Sequence, residues 1–399
     1  MVEMPADLTP RIRLVIGVMT GTSMDGLDAA LVSIRGSGRS LEASLVRQHA
    51  ARFPEPLAAQ LRRAANQTPM SAGAFAQLAY DFGAFHADAL RPLVASERGR
   101  PIDLVVAHGQ TVYHAPPLSW QLLNAAPIVA ALGCPVVCDL RQADLLAGGQ
   151  GAPITPLADW IIFRAERDRA VVNLGGFCNA TLLRGSAGPE GVRGTDVCAC
   201  NQVLDAVARH VLNAEFDVDG AAAARGTLDN LATHELRALL DAQRTSRRSL
   251  GTGDEAGAWI DAHCTRLRAD DLAASAVAAI AETIAAALWD AGLSESAEVL
   301  LAGGGANNAA LVAAIAQSTK RLTRTLDAVG IPIEARESME MAVLGALAAD
   351  GVPISLPAVT HRGTTVVREG AWSFPSLPQA LCTHDLHAAL AKPGGTTLP

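Results

Sequence analysis

The chain has 399 residues, 50% of them hydrophobic and 18% charged, which is too apolar for a disordered chain and long enough for two or three domains. A net charge of −8 argues against the basic footprint of a nucleic-acid binder. The longest near-apolar run, 125–138, is broken by Pro127 and Pro135 and falls short of the roughly 20 residues a membrane span needs, so neither nucleic acid nor a membrane is expected as a partner.

Glu3, Asp7 and two prolines occupy the first thirteen residues and give no secretory pattern. Seven cysteines, an odd number in no regular framework, read as reduced thiols in a cytoplasmic protein. Cys198 and Cys200 are too close for a comfortable disulfide, and no further zinc ligands are evident beside them.

The apolar run 14–19 enters the polar turn Thr20-Gly21-Thr22-Ser23-Met24-Asp25-Gly26 and resumes as a strand at 28–34, which predicts a hairpin. Helical spacing covers 55–97, and a second strand at 103–108 ends in His108-Gly109-Gln110-Thr111, with His114 close by. A helix at 125–132 and a strand at 135–139 follow. Beyond them, Asp139 to Pro153 gathers Arg141, Asp144 and three glycines into fifteen residues. The opening pattern then recurs. A strand at 170–174 meets Gly175-Gly176-Phe177-Cys178-Asn179 and a strand at 180–183 follows, so two similar domains are expected, the second starting near 170. Helices are expected at 201–212, 272–289, 308–317 and 338–349, and a strand at 298–302 runs into Gly303-Gly304-Gly305. Loop and short extended pieces are expected after Gly351.

Three glycine turns therefore sit at strand ends. No Gly-Lys-Ser/Thr occurs, so a P-loop is excluded, and Gly303-Gly304-Gly305 lacks the dinucleotide spacing. What remains is a phosphate cradle of backbone N–H groups, to which Thr22 and Ser23 can add hydroxyls. Asp25 and Asp28 flank the first turn, where carboxylates either hold Mg²⁺ through water or cap the turn. Asp196, ahead of the helix from Asn201, is read either as a general base or as the cap of that helix. His108 and His114 fit no compact metal motif, so hydrogen bonding to substrate or local packing is expected of them.

In this order the segments resemble the anhydro-N-acetylmuramic acid kinases, a family of the sugar kinase, actin and heat-shock chaperone superfamily. Met19-Thr20-Gly21-Thr22-Ser23-Met24-Asp25-Gly26-Leu27-Asp28 is similar to the family's opening Met-Ser-Gly-Thr-Ser-x-Asp-Gly-x-Asp. His108 to Thr111 with His114, Asp139 to Pro153, Asn173 to Asn179, Phe216 to Gly220, Gly303 to Asn307 and Glu337 match further motifs, over about residues 14–360. The resemblance implies an α/β fold of two actin-like, ribonuclease H-like domains, each a mixed five-stranded sheet flanked by helices, with a cleft between. Expected bounds are 11–165 and 166–350, with a tail at 351–399 packing back.

It also implies an ATP- and Mg²⁺-dependent kinase that opens the 1,6-anhydro ring of anhydro-N-acetylmuramic acid and phosphorylates the 6-oxygen, in peptidoglycan recycling. A levoglucosan-type kinase is the enzyme alternative, and a non-phosphorylating ATP-binding relative the alternative from another class. The roles carried over are Asp196 as base and Gly21, Thr22, Ser23, Met24, Asp25, Gly26, Leu27, Asp28, Gly175, Gly176, Gly303, Gly304 and Gly305 for ATP. Asp25 holds the metal through water, and His108, Gln110, Thr111, Arg141 and Glu337 take the sugar. A homodimer is allowed. Two departures stand out: Cys198-Ala199-Cys200 replaces the family's Gly-Pro-Gly, and 247–253 replaces its Pro-Lys-Ser-Thr-Gly-Arg-Glu.

Overall fold

The computed structural model describes residues 12–21, 24–245, 256–364 and 368–376. Its strands are β1 (Arg13–Met19), β2 (Gly26–Arg35), β3 (Glu42–Arg52), β4 (Leu104–Ala107), β5 (Gln110–Ala115), β6 (Leu118–Leu122), β7 (Val136–Cys138), β8 (Arg169–Leu174), β9 (Phe177–Leu183), β10 (Arg193–Ala199), β11 (Glu298–Ala302), β12 (Leu322–Thr325) and β13 (Ala371–Ser373). The helices are α1 (Glu55–Ala65), α2 (Ala72–Ser96), α3 (Ala126–Leu132), α4 (Gln142–Leu146), α5 (Pro156–Phe163), α6 (Asn201–Val207), α7 (Ala221–Arg225), α8 (Asn230–Thr245), α9 (Gly257–His263), α10 (Ala269–Asp290), α11 (Ala309–Thr319), α12 (Arg336–Ala349) and α13 (Pro357–Thr360).

The repetition seen in the sequence is a repetition of topology. β3-β2-β1 form an antiparallel meander continued by parallel β4 and β7, and β10-β9-β8 form the same meander continued by parallel β11 and β12. Both hairpins the sequence predicts, β1–β2 and β8–β9, are present. The second sheet has the expected five strands. The first has six, because β13 of the tail adds antiparallel to β7, with Trp372 opposite Val137. This corrects the five-strand expectation for the first half: the edge of β7 is covered by tail residues instead of being left open.

One face of the first sheet packs on α1, α2 and α3 through residues such as Leu31, Phe82 and Leu90. Its other face joins the core that continues into the second sheet. α12, expected within the second half, lies against β1, β2 and β4. Gly17 makes this possible: a Cβ there would lie 1.9 Å from Ser338 O. At the N-terminus of α12, buried Arg336 donates to Asp159 of α5 at 2.8 Å and pairs with Glu340 at 2.7 Å, while Asp159 accepts from Thr181 of β9 at 2.7 Å. This ionic cluster joins the two sheets. Helix α10 is, among the described residues, the one helix long and apolar enough to cross a membrane. However, 67% of its apolar window is buried, and it packs against α8, α11 and α7 as a core helix.

Candidate active site

The first glycine turn joins β1 to β2. Met24 N donates to Gly21 O at 3.3 Å, and Met24 takes a φ of +54°. Gly26 passes so close to β3 that a Cβ would lie 2.5 Å from Ala51 O, so glycine is required there. Strand alternation then separates the next two residues: Leu27 is buried in the core, and Asp28 points away from it into the recessed lining of a cavity. Leu27, expected among the ATP residues, therefore has only its backbone to offer the turn. Thr22 and Ser23 lie outside the described residues.

The second and third turns are built against one another. Gly175 O and Gly176 O accept from the amides of Asn201 at 3.0 Å and Cys200 at 2.9 Å, at the start of α6. Asn201 Nδ2 donates to Leu174 O at 3.0 Å. Gly303, with φ +78°, leaves no room for a side chain: a Cβ would lie 2.7 Å from Asn173 Oδ1. A Cβ at Gly305 would meet Asn201 Oδ1 at the same distance. Asn173 and Asn201 thus set the spacing of the two turns. Asn173 opens a motif legible in the sequence and Asn201 opens a predicted helix, but nothing in their spacing announced the shared role.

All three turns line one cavity of about 900 Å³, together with Asp25, Asp28, Glu334 and Glu337. On the far side it is bounded by Phe216 and Val218, both more than half exposed, and by Asp205 and Asn308. Asp217 closes that wall by accepting from the amides of Ala222 at 2.9 Å and Ala223 at 3.0 Å. The pKa of Asp28 is raised to about 6, first by burial and then by the charges of Asp25, Glu337 and Glu334. A carboxylate whose charged neighbours are carboxylates suits a hydrated divalent cation.

A second group sits at the end of β4. His108 N donates to Val18 O at 3.1 Å and Thr20 Oγ1 to Gly109 O at 2.7 Å, which ties this strand end to the first turn. His108 Nδ1 bonds Gly109 O at 2.8 Å, and its Nε2 lies 2.9 Å from an Arg141 nitrogen. Burial, then Arg141, lowers the His108 pKa to about 3, so the ring is neutral, protonated at Nδ1 and accepting at Nε2. Arg141 also donates to Gly151 O at 2.9 Å. Burial lowers its pKa to about 10, which leaves it cationic at neutral pH. Gln110 Nε2 donates to Gly21 O at 3.3 Å, while its buried Oε1 has no partner. Such an orphaned acceptor fits a ligand hydroxyl. Thr111 accepts from Gln121 at 3.3 Å within the β5–β6 hairpin. His114, its pKa lowered by burial and then by Arg141, hydrogen-bonds Ser119. The fold thus brings His108, Gln110 and Arg141 together. Glu337 arrives from α12 and faces Asp28.

Asp196 is on β10 opposite Asn179, where the register shifts before Cys198. Irregularities of this kind often re-aim a side chain beside an active site. The N-cap of α6 is Cys200 and receives no side-chain hydrogen bond, so the helix-cap reading of Asp196 is set aside. Partial burial raises the pKa of its carboxyl, which favours proton acceptance. Asp196 is outside the lining of the 900 Å³ cavity, on the strand that leads into Cys200 and hence to the Gly176 contact. Cys198, Ala199 and Cys200 are buried, and none has a positive φ. Glycine freedom is not needed at these positions. The second departure, at 247–253, is outside the described residues.

The family model for anhydro-N-acetylmuramic acid kinase matches residues 13–371. The chain is 34% identical to the anhydro-N-acetylmuramic acid kinase of Salinibacter ruber, covering 87% of this chain and 93% of that one. It is 36% identical to that of Bordetella pertussis, again over 87% and 93%. Among solved structures it is similar to the activator of the 2-hydroxyisocaproyl-CoA dehydratase from Clostridium difficile with bound ADPNP, at a TM-score of 0.45 and 11% identity over 84% of this chain and 95% of that one, a likeness too distant to carry chemistry.

Proposed function

We infer the reaction from one premise: the chain belongs to the anhydro-N-acetylmuramic acid kinase family, whose model spans residues 13–371 and whose curated relatives it matches at 34% and 36% identity. It is a phosphotransferase that uses ATP to phosphorylate a sugar hydroxyl. Its substrate is anhydro-N-acetylmuramic acid and its product N-acetylmuramic acid 6-phosphate, in the recycling of cell-wall peptidoglycan.

The roles within this chain are our proposal. The turns at Gly21–Asp28 and Gly175–Gly176 cradle the phosphates through backbone N–H groups, and Gly303–Gly305 takes the adenosine beside Phe216 and Val218. What supports this reading is that turns from both repeated halves line one cavity, where a Cβ at Gly26, Gly303 or Gly305 would lie within 2.7 Å of neighbouring atoms. Asp25 and Asp28 hold Mg²⁺ through water; when bound, the ion neutralises charge on the transferring phosphoryl group. Arg141, His108, Gln110 and Thr111 hold the sugar, and Glu337 reaches in from α12. Asp196 takes a proton from a water whose oxygen bonds to the anomeric carbon. The bond from that carbon to the 6-oxygen breaks, the 6-oxygen takes the γ-phosphoryl group, and ADP leaves. The two units divide near residue 165, a reading supported by the repeated sheets, with α12 and β13 of the tail packed on the first sheet. The protein is cytoplasmic and acts without nucleic acid or membrane.

A substrate panel tests the assignment. With ATP, anhydro-N-acetylmuramic acid should give the 6-phosphate far faster than levoglucosan; the reverse preference would point to a plain anhydrohexose kinase.

The carboxylate cluster predicts a pH dependence. Lowering the pH through about 6 protonates Asp28, so turnover at limiting Mg²⁺ should fall there. Stability without metal runs the other way. A carboxyl whose native pKa lies above its unfolded value of 3.8 binds its proton more tightly when folded, so metal-free protein gains stability as pH falls from about 6 towards 4. Asp28→Asn should therefore raise the melting temperature of the metal-free protein at neutral pH and flatten that dependence. An unchanged melting profile would refute the raised pKa of Asp28.

A further inference from the structure

A buried carboxylate that makes no contact with the proposed ligands ties the sugar side of the site to the C-terminal segment. Asp144, on α4, is fully buried. It accepts from the Gly151 amide at 2.7 Å, from Thr360 Oγ1 at 2.6 Å and from Ser355 Oγ. Gly151 is also where Arg141 is held, because its carbonyl accepts from Arg141 at 2.9 Å. One residue is thus gripped at its N–H by Asp144 and at its C=O by Arg141. Gly151 has a φ of +69°, and a Cβ at Gly149 would lie 2.1 Å from Asp144 Oδ2, so the loop wraps the carboxylate with no slack.

The tail completes the grip. Gln150 N donates to Thr360 O at 2.9 Å and Gly363 N to Ala147 O at 2.7 Å. Ser355 in turn accepts from Arg362 at 2.8 Å, and Arg362 pairs with Glu369 at 3.0 Å, both nearly buried. Both carboxylate oxygens of Asp144 are therefore satisfied, one from the glycine loop and the other from the tail, which holds the arrangement rigid.

We infer that Asp144 is a positioning residue for the anhydrosugar: it fixes Gly151, Gly151 fixes the Arg141 guanidinium, and the segment 354–363 is thereby part of the sugar site. The inference rests on the reading of Arg141 as a sugar ligand. Asp144 touches no substrate. Its effect runs through the aim of one long side chain, which would otherwise sample several rotamers and lose order with each.

The test uses the full-length enzyme and follows KM for the anhydrosugar, KM for ATP and thermal stability in Asp144→Ala, Asp144→Asn, Arg141→Ala and the double alanine variant. Asp144→Ala should raise the sugar KM by about tenfold, the scale of one hydrogen bond, and leave the ATP KM unchanged. Asp144→Asn should recover most of the loss, because its oxygen can face the Gly151 amide while its NH₂ donates to the two hydroxyls. The double variant should be no worse for sugar than Arg141→Ala alone, since both act through one contact. An unchanged sugar KM in Asp144→Ala, or additive effects in the double variant, would overturn the inference and leave Asp144 a purely structural group. An unchanged sugar KM in Arg141→Ala would instead remove the premise, and the inference would fall with it. Should Asp144→Ala not fold, Ser355→Ala with Thr360→Val loosens the same loop from the tail side. The same shift in sugar KM is then expected, and no shift overturns the coupling.

Discussion

Asp196→Asn should lower turnover by about 10²–10⁴-fold, the usual contribution of a positioned general base, equivalent to roughly 3–5 kcal/mol at 1.36 kcal/mol per decade. ATP affinity should survive, because the asparagine keeps the size of the side chain and the residue is outside the cavity lined by the three glycine turns. The forecast discriminates because the structure has removed the competing role. A helix cap would tolerate asparagine about as well as aspartate, but the cap position of α6 is held by Cys200, four residues on. The pH profile gives a second readout. Burial raises the Asp196 pKa above the ordinary 3.8, so wild-type turnover should fall as the pH drops through that raised value, and the variant's residual rate should lack that limb. Wild-type turnover in Asp196→Asn would mean that another group activates the water.

Arg141→Ala should cost about 10²–10³-fold in kcat/KM for the sugar, carried chiefly by KM. Hydrogen bonds from a charged donor contribute about 1.5–3 kcal/mol each, and a guanidinium can make two to one ligand. Its surroundings keep it available as the cation. His108 is held neutral, its pKa lowered to about 3, and Arg141 itself stays protonated with a pKa near 10. Arg141→Lys should rescue only part of the loss, because a lysine cannot reach His108 and Gly151 with the same fork. The KM for ATP is the control. If it rises while the sugar KM stays put, Arg141 belongs to the nucleotide side and the sugar placement is wrong.

What the sequence disclosed follows from how locally each signal is encoded. The two hairpins were legible because apolar runs met Gly21-Thr22-Ser23 and Gly175-Gly176 at their ends, and a chain can reverse there only with such residues. β10 was not legible. Arg193-Gly194-Thr195-Asp196 is polar, the strand is irregular at the residue that matters, and Asp196 read instead as a link between a strand and a helix. The β5–β6 hairpin carries Tyr113 and Trp120 outward, so no alternation with a buried face announced it.

Long-range placements were hidden for a different reason. The periodicity of 338–349 specifies a helix, and nothing in it says that Gly17 has cleared a seat on the first sheet. The partners of Asp144 in the tail are 211 and 216 residues away, so a glycine-dense cluster whose composition suggests a binding loop is also strapped down from the far end of the chain, which no local signal announces. At Leu27 the resemblance marks a residue within the run Gly21 to Asp28 without saying which part of it faces the turn; the pleat of β2 buries its side chain and leaves only the backbone.

The measurement that bears most directly on the whole account is the release of ADP by the purified protein with and without anhydro-N-acetylmuramic acid, coupled to mass analysis of the sugar. ADP should appear only when the sugar is present, mole for mole, and the product should be heavier than the substrate by one water and one phosphoryl group. ADP release that ignores the sugar would contradict it, as would a product that carries the phosphoryl group but no added water.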